Sequence, residues 1–175
     1  MTGDIRTCEI RAATCRIADV PAFLSRLRDI AKQFGTHIIC FNADLLAGKR
    51  HAETAVRYAV RSRRRGAAIS NTLEMEALLY AAGSRQCNIA SSFGIRDGEN
   101  HLWVCCYPLS PGVWDALNTE FTFTDGWGLN TIDGKKRNTL MEIFGITPAE
   151  LGTLDNPEKV ADLVLERVAL LEVQR

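Results

Sequence analysis

Five of the six arginines between residues 50 and 65 are the side chains of this sequence best placed to do chemistry. Arg50, Arg57, Arg61, Arg64 and Arg65 fall on one side of a predicted helix, opposite a stripe of alanine and valine. The chain has zero net charge, and the segment contains a single acidic residue, Glu53. Such a face favours binding to phosphate groups. The alternative is a solvated helix face whose last arginines are stabilised by the helix dipole.

The histidines and buried acids of the sequence have simpler interpretations. His51 begins the arginine-bearing helix, where partial exposure and a binding role are both open. His37 and His101 lie in apolar strands and are expected to be structural. Glu74 and Glu76 lie on a predicted buried helix and need partners, because an unpaired buried charge is costly. We expect Arg85 to pair with them; the alternative is that one of them orients an RNA-contacting group.

No catalytic motif is present in the sequence. There is no Walker A loop, no HExxH and no GxSxG, and no two histidines are spaced to hold a metal. Cys87 follows Arg85 and Gln86, so a reactive thiol is conceivable, but no second group supports it. We therefore expect no catalytic residues, no metal, no cofactor and no small-molecule substrate.

The elements that must position the arginines alternate between helices and a few strands. A half-exposed strand is predicted over 5–12, a helix from Asp19 to Phe34, a buried central strand over 37–41 and the arginine-bearing helix over 49–65. A helix capped by Ser70 or Asn71 ends at Gly83, and a short helix runs from Ser84 to Phe93. The segment 96–100 is predicted to be a polar turn, 101–107 a second buried strand, and 121–134 a strand fragment with loops.

The C-terminal third is predicted to be mostly helical. A helix over 135–144 is followed by a last helix after Asn156, whose apolar arc is wider than a surface helix requires. That arc is either core or partly a partner interface. The whole pattern predicts an α/β (mixed α+β) fold, with a small, mostly antiparallel sheet packed with several helices in one domain over 1–175.

Length and composition fit this interpretation. The chain has 175 residues, of which 46% are apolar and 24% charged, so wholesale disorder is excluded. The N-terminus lacks the apolar region of a signal peptide, and no apolar run approaches the roughly 20 residues of a membrane helix. We therefore expect a cytoplasmic protein whose six cysteines are reduced. The adjacent Cys105 and Cys106 are expected to face opposite sides of a strand.

Three strings of the sequence resemble a known family. They are CFNADLLAGKRH, ISNTLEMEALLYAAGSRQCNIASSFGIRDGEN and VADLVLERVALLEV, and the core LLYAAGSRQ is the most specific. The chain resembles, from about residue 36 onward, the small kinase-binding subunit of the KEOPS complex, known in eukaryotes as the PRPK-binding protein. Cys87 departs from the family pattern, which has an apolar β-branched residue after Arg-Gln.

The resemblance implies a non-catalytic accessory subunit with a mixed α/β fold. KEOPS forms N6-threonylcarbamoyladenosine-37 in tRNA, and this subunit binds the atypical kinase subunit directly and the other subunits indirectly. In archaeal complexes the family also holds the single-stranded 3′ CCA end of tRNA. The alternative is an adaptor of the kinase without RNA binding. Together with the basic face, the resemblance marks as RNA-binding candidates Lys49, His51, Arg57, Arg61, Arg64, Arg65, Ser70, Asn71, Arg85 and Gln86.

Overall fold

An antiparallel four-stranded sheet in the order β2-β3-β1-β4 forms the centre of the fold. The computed structural model describes residues 8–152 and 156–174. The strands are Glu9–Ile17 (β1), His37–Asn42 (β2), Gly98–Tyr107 (β3) and Thr122–Thr124 (β4). The α-helices are Val20–Phe34 (α1), Lys49–Arg64 (α2), Leu73–Ala82 (α3), Cys87–Ser91 (α4), Val113–Leu117 (α5), Trp127–Asn130 (α6), Gly134–Phe144 (α7), Pro148–Leu151 (α8) and Pro157–Val173 (α9).

The sheet is covered on both faces, and each face has its own apolar core. Ile39 and Cys105 point towards the larger core, which α2, α3, α7 and α9 complete. Ile38 and Cys106 point towards the smaller core, which α1 and α5 complete. The predicted mixed fold with an antiparallel sheet is confirmed, and so are the opposite directions of Cys105 and Cys106.

The first helix illustrates how closely local signals fix an element. The Asp19 carboxylate accepts the backbone N–H of Ala22, and Gly35 ends the helix with a left-handed φ of 61°. Phe23 and Leu27 are buried on its inner side. The predicted helix between Asp19 and Phe34 is therefore confirmed.

Strand β2 differs most from its sequence-based prediction. Its continuous apolar run predicted a central strand, but among the described strands β2 lies at the edge of the sheet and pairs only with β3. The run is apolar because helices cover both of its faces, so both sets of side chains are buried even though one backbone edge is not paired with a strand.

Several element boundaries also differ from the predicted ones. β1 continues to Ile17, because its second half pairs with 98–102 of β3; the predicted residues 5–7 lie outside the described residues. Much of the predicted turn 96–100 is therefore strand, and the Asn100 side chain bonds the backbone of Arg96 and Gly98 across the remaining bend. Segment 121–134 contains β4 and α6, as well as loops.

Candidate nucleic-acid interface

Helix α2 carries the predicted arginine face. Its alanines and valines are buried in the larger core, and all five arginines of the face are exposed, as predicted. The helix begins after Gly48, whose φ is 88°, and the side chain of Asn130 accepts the backbone N–H of Lys49. A residue of α6 thus satisfies the helix start, in place of the side-chain cap that Gly48 does not have.

Acidic residues of α9 accompany the arginine face along its length. Arg50 pairs with Asp162 at 3.2 Å near the start of both helices. Arg61 and Arg65 share Glu172, with N–O distances of 3.4 and 3.5 Å, near the end of both. The two helices therefore run parallel, and α9 supplies acidic partners that the arginine-bearing segment itself lacks. Exposed pairs of this kind contribute little stability, so the guanidinium groups remain able to exchange partners.

A third arginine reaches the same end of α9 from a different element. Arg85 donates to the backbone carbonyl of Gln174 at 3.2 Å. Arg57, one turn before Arg61 on α2, has no hydrogen-bond or ion-pair partner among the described residues. We call this group the arginine cluster: Arg57, Arg61, Arg65 and Arg85.

An aromatic pair lies beside the arginine cluster. The Arg61 guanidinium lies 5.2 Å from the ring centroid of Tyr58, whose ring stacks on Tyr80 at 5.4 Å. Tyr80 is fully buried, which favours the interpretation of this residue as core over contact with a base. Tyr58 is partly exposed, and its i,i+3 spacing from Arg61 was the sequence signal that could have identified it.

Two candidates on α2 point elsewhere. Arg64 donates to the hydroxyl of Tyr107 at 3.0 Å, at the end of β3. Lys49 is the first residue of α2, roughly 22 Å along the helix axis from Arg64 at 1.5 Å per residue. Lys49 and Arg64 therefore lie at opposite ends of α2.

His51 is fully buried, so its prediction as an RNA-binding residue was wrong. Nδ1 accepts the backbone N–H of Ala47 at 3.0 Å, and Nε2 lies 2.9 Å from the carbonyl oxygen of Ala81. These partners fix the neutral Nε2–H tautomer. Burial lowers the pKa of His51 to about 4, with a smaller contribution from Lys136. The imidazole joins the start of α2 to the end of α3.

The start of α3 also differs from prediction. Thr72 is the N-cap, because its hydroxyl accepts the N–H of Met75. The backbone N–H groups of Ile69 and Ser70, and the hydroxyl of Ser70, instead donate to Glu76 at 2.9–3.1 Å. The hydrogen-bond donors of Ile69 and Ser70 are thus already used by a buried carboxylate, which fixes the loop before α3.

Among the described residues, Arg85 forms neither of the expected pairs with Glu74 and Glu76. The Glu74 carboxylate pairs with Nδ1 of His37 at 2.7 Å. Burial opposes ionisation of Glu74, but the hydrogen bond with His37, a backbone hydrogen bond and the nearby positive charge together outweigh it, and the pKa of the carboxyl is lowered. Asn71 is exposed at the surface of the same loop.

The segment after α3 remains accessible. The hydroxyl of Ser84 accepts the N–H of Gln86, and α4 begins at Cys87 rather than at Ser84. Gln86 and Arg85 are both exposed. Arg85 contacts the end of α9 and Gln86 follows it at the surface, whereas Ser70 is held by Glu76.

Helix α9 combines core and surface on its apolar arc. Val160, Val164, Val168 and Leu171 are buried in the larger core. Leu170 and Val173 are 43% and 78% exposed, next to Glu172 and Gln174. These two exposed apolar side chains support the alternative that part of the arc faces a partner.

The described ranges contain neither a membrane-spanning helix nor a metal-binding group of side chains. None of their helices is both long and apolar enough to cross a membrane. Within 8–152 and 156–174, no group of three His, Cys, Asp or Glu side chains is arranged to hold a metal ion.

Comparison with known proteins identifies the family. No curated protein matches the sequence. The family model described as kinase binding protein CGI-121 matches residues 17–172, which include all of α1 to α8 and nearly all of α9. The match also contains the arginine cluster and Leu170, one of the two exposed apolar residues of α9. The chain therefore belongs to the kinase binding protein CGI-121 family, the family of the small KEOPS subunit.

Proposed function

We propose that this protein is a non-catalytic accessory subunit of a KEOPS complex. It binds the atypical kinase subunit directly and recruits tRNA through the 3′ CCA end for formation of N6-threonylcarbamoyladenosine-37. The family match over residues 17–172 supports the kinase-binding part. The arginine cluster supports the tRNA part.

The single observation that carries tRNA recruitment is the charge balance at the end of α9. Four arginines reach this region from α2 and from the segment after α3, and Glu172 is the one carboxylate that pairs with them among the described residues. A flexible single strand carries one negative charge per nucleotide and needs a positive groove with a ring on which a base can stack. Tyr58, beneath Arg61, provides a partly exposed ring at that position.

The alternative is an adaptor of the kinase that does not bind RNA. It is supported by the ion pairs of Arg50, Arg61 and Arg65 with α9, because these pairs give the arginines a structural role. The two functions differ in one measurable property, the salt-dependent affinity for tRNA.

A tRNA titration distinguishes them. We expect the purified chain to bind a tRNA with the CCA end more tightly than the same tRNA without it, at both low and moderate salt. Arg57→Glu and Arg85→Glu should weaken binding and lower the slope of log affinity against log salt by about one each. Arg16→Glu, which replaces an exposed arginine of β1 paired with Glu99, is the matched control. Equal binding to both tRNAs, unaffected by the variants, would support the adaptor function.

Kinase binding is tested separately, by co-elution with the purified atypical kinase subunit in size-exclusion chromatography. Leu170→Asp and Val173→Asp are expected to weaken the complex, because they place charge on the exposed apolar end of α9. Leu109→Asp changes an equally exposed leucine, 42% accessible, outside α9 and serves as the control. Co-elution lost only in the control would place the kinase elsewhere on the surface.

A further inference from the structure

The outer backbone edge of β2 offers unused hydrogen-bonding groups. The N–H of Asn42 points away from β3 and donates to the carbonyl of Phe93. In an antiparallel strand, alternate residues direct their N–H and C=O to the same side. Ile38 and Cys40 therefore also direct these groups outward. Within the described ranges, no backbone group pairs with them.

A groove lies directly along this edge. Its volume is about 450 Å³, within the range of pockets that enclose ligands. Leu24 and Ala31 of α1 form one wall, Met75 and Leu78 of α3 form the other, and Ile38 lies at the base. Side chains that extend to alternate sides of an added strand would enter two apolar surfaces, one on each face of the sheet.

The two charged side chains that line the groove differ in whether they already have a partner. Glu74 is engaged by His37. Arg28 of α1 is exposed, lines the groove, and has no ion-pair partner among residues 8–152 and 156–174. The guanidinium of Arg28 is therefore available to a carboxylate on the occupant.

We propose that the groove along β2 is a docking site for an extended segment of a partner protein, which adds a fifth strand to the sheet beside Ile38 and Cys40. The segment has alternating apolar side chains and an Asp or Glu that meets Arg28. Backbone bonds to the free edge give affinity, and the two apolar walls with Arg28 select the side chains.

A second copy of the chain does not fit this geometry. Its own β2 lies between its own α1 and α3, so pairing two β2 edges would drive these helices into the walls of the opposite groove. The other edge of the sheet, β4, has three residues and offers little length for pairing. A single strand without flanking helices is the occupant that the walls admit.

This inference stands apart from the proposed function. The groove uses α1, β2, the inner side of α3 and, at its Cys40 end, residues 91–95, and none of its lining residues belongs to the arginine cluster or to α9. Loss of tRNA binding or of kinase co-elution therefore leaves it unaffected, and its failure leaves those proposals unaffected.

The test uses random octapeptides displayed on phage, selected against the immobilised full chain and then synthesised for fluorescence anisotropy. We expect enrichment of alternating apolar residues with one acid. Arg28→Glu should lower the affinity about tenfold, and replacing the acid of the peptide by Lys should restore it. Lys32→Glu, on the same helix but outside the groove, is the matched control.

N-methylation of the selected peptide separates a strand from an apolar ligand, and it requires no variant of the protein. Methyl groups on alternate amides should abolish binding, while those on the intervening amides should leave it unchanged. The proposal is overturned if no peptide is enriched relative to selection against an unrelated protein, or if methylation has no alternating effect. It is also overturned if Arg28→Glu leaves the affinity unchanged, or if the chain binds a fatty acid but no peptide.

Discussion

Acidification from pH 7 to pH 5 is predicted to weaken the fold through His51. The unfolded chain has a histidine pKa near the ordinary 6.5, whereas burial lowers the pKa of His51 to about 4 in the folded protein. Protonation would also remove the acceptor of the Ala47 N–H, because Nδ1 would become a donor. The unfolded state therefore binds the proton first, and stability falls as the pH falls through 6.5 towards 4.

The magnitude follows from the two pKa values. Each unit of difference corresponds to 1.36 kcal/mol, so His51 alone costs about 2 kcal/mol of unfolding free energy between pH 8 and pH 5. The full difference, about 3 kcal/mol, is reached below pH 4. Glu74 has a lowered pKa, so its stabilising contribution is fully present at pH 6 and 7 and is lost as the pH falls through the ordinary value near 4.5 towards the lowered value of the folded protein.

Urea unfolding at pH 5, 6 and 7 provides the assay, with His51→Asn as the comparison. Asn keeps an acceptor near Nδ1, but it loses the bond to Ala81 and the ring contact with Phe144, so we expect lower stability at every pH. The difference between wild type and variant should shrink by about 2 kcal/mol at pH 5, because only the wild type titrates at this position.

A direct readout accompanies the unfolding data. The imidazole nitrogens of His51 should report a neutral Nε2–H tautomer by NMR down to about pH 5. An equal acid dependence in wild type and His51→Asn, or a His51 that becomes protonated above pH 6, would refute the reasoning.

Three further perturbations test other parts of the fold. Glu76→Ala should destabilise the protein by about 3 kcal/mol in urea unfolding, since it removes a buried carboxylate that accepts from several partly buried donors; an effect below 1 kcal/mol would contradict this role. Gly48→Ala should lower the melting temperature, because φ is 88° and a Cβ would lie 2.8 Å from Oδ1 of Asn130; Gly128→Ala, with open space, is the control. Iodoacetamide should modify exposed Cys87 first and spare Cys105, whose pKa is raised by the contact with Cys8 and by burial, as mass spectrometry of the labelled chain will show.

Local sequence signals predicted the elements well where the determinants were adjacent in sequence. Asp19 and Gly35 bound α1, and the alternating burial along α2 follows from the 3.6-residue period. The position of β2 was not predictable in this way. An edge strand covered by helices on both faces has the same apolar run as a central strand, and its free edge is a backbone property without a side-chain signature.

The candidate site was predicted only in part, because some of its contacts join segments that are far apart in the sequence. The exposed arginines of α2 could be identified from their spacing, but their partners Asp162 and Glu172 lie on α9, far along the chain. The residues around His51 are those of an exposed basic segment. Its burial instead involves the carbonyl of Ala81 in another helix, which the local sequence does not show. Such tertiary contacts have no periodic signal in one sequence.

The parallel arrangement of α2 and α9 also constrains the order in which the molecule is assembled. Arg50 and Asp162 are 112 residues apart, and Arg61 and Glu172 are 111 apart. Contacts of such long sequence separation carry a high entropic cost of chain closure and form late in folding. During synthesis, α2 leaves the ribosome long before α9 exists, so its side of the larger core stays open to solvent and to chaperones until residues 157–173 emerge.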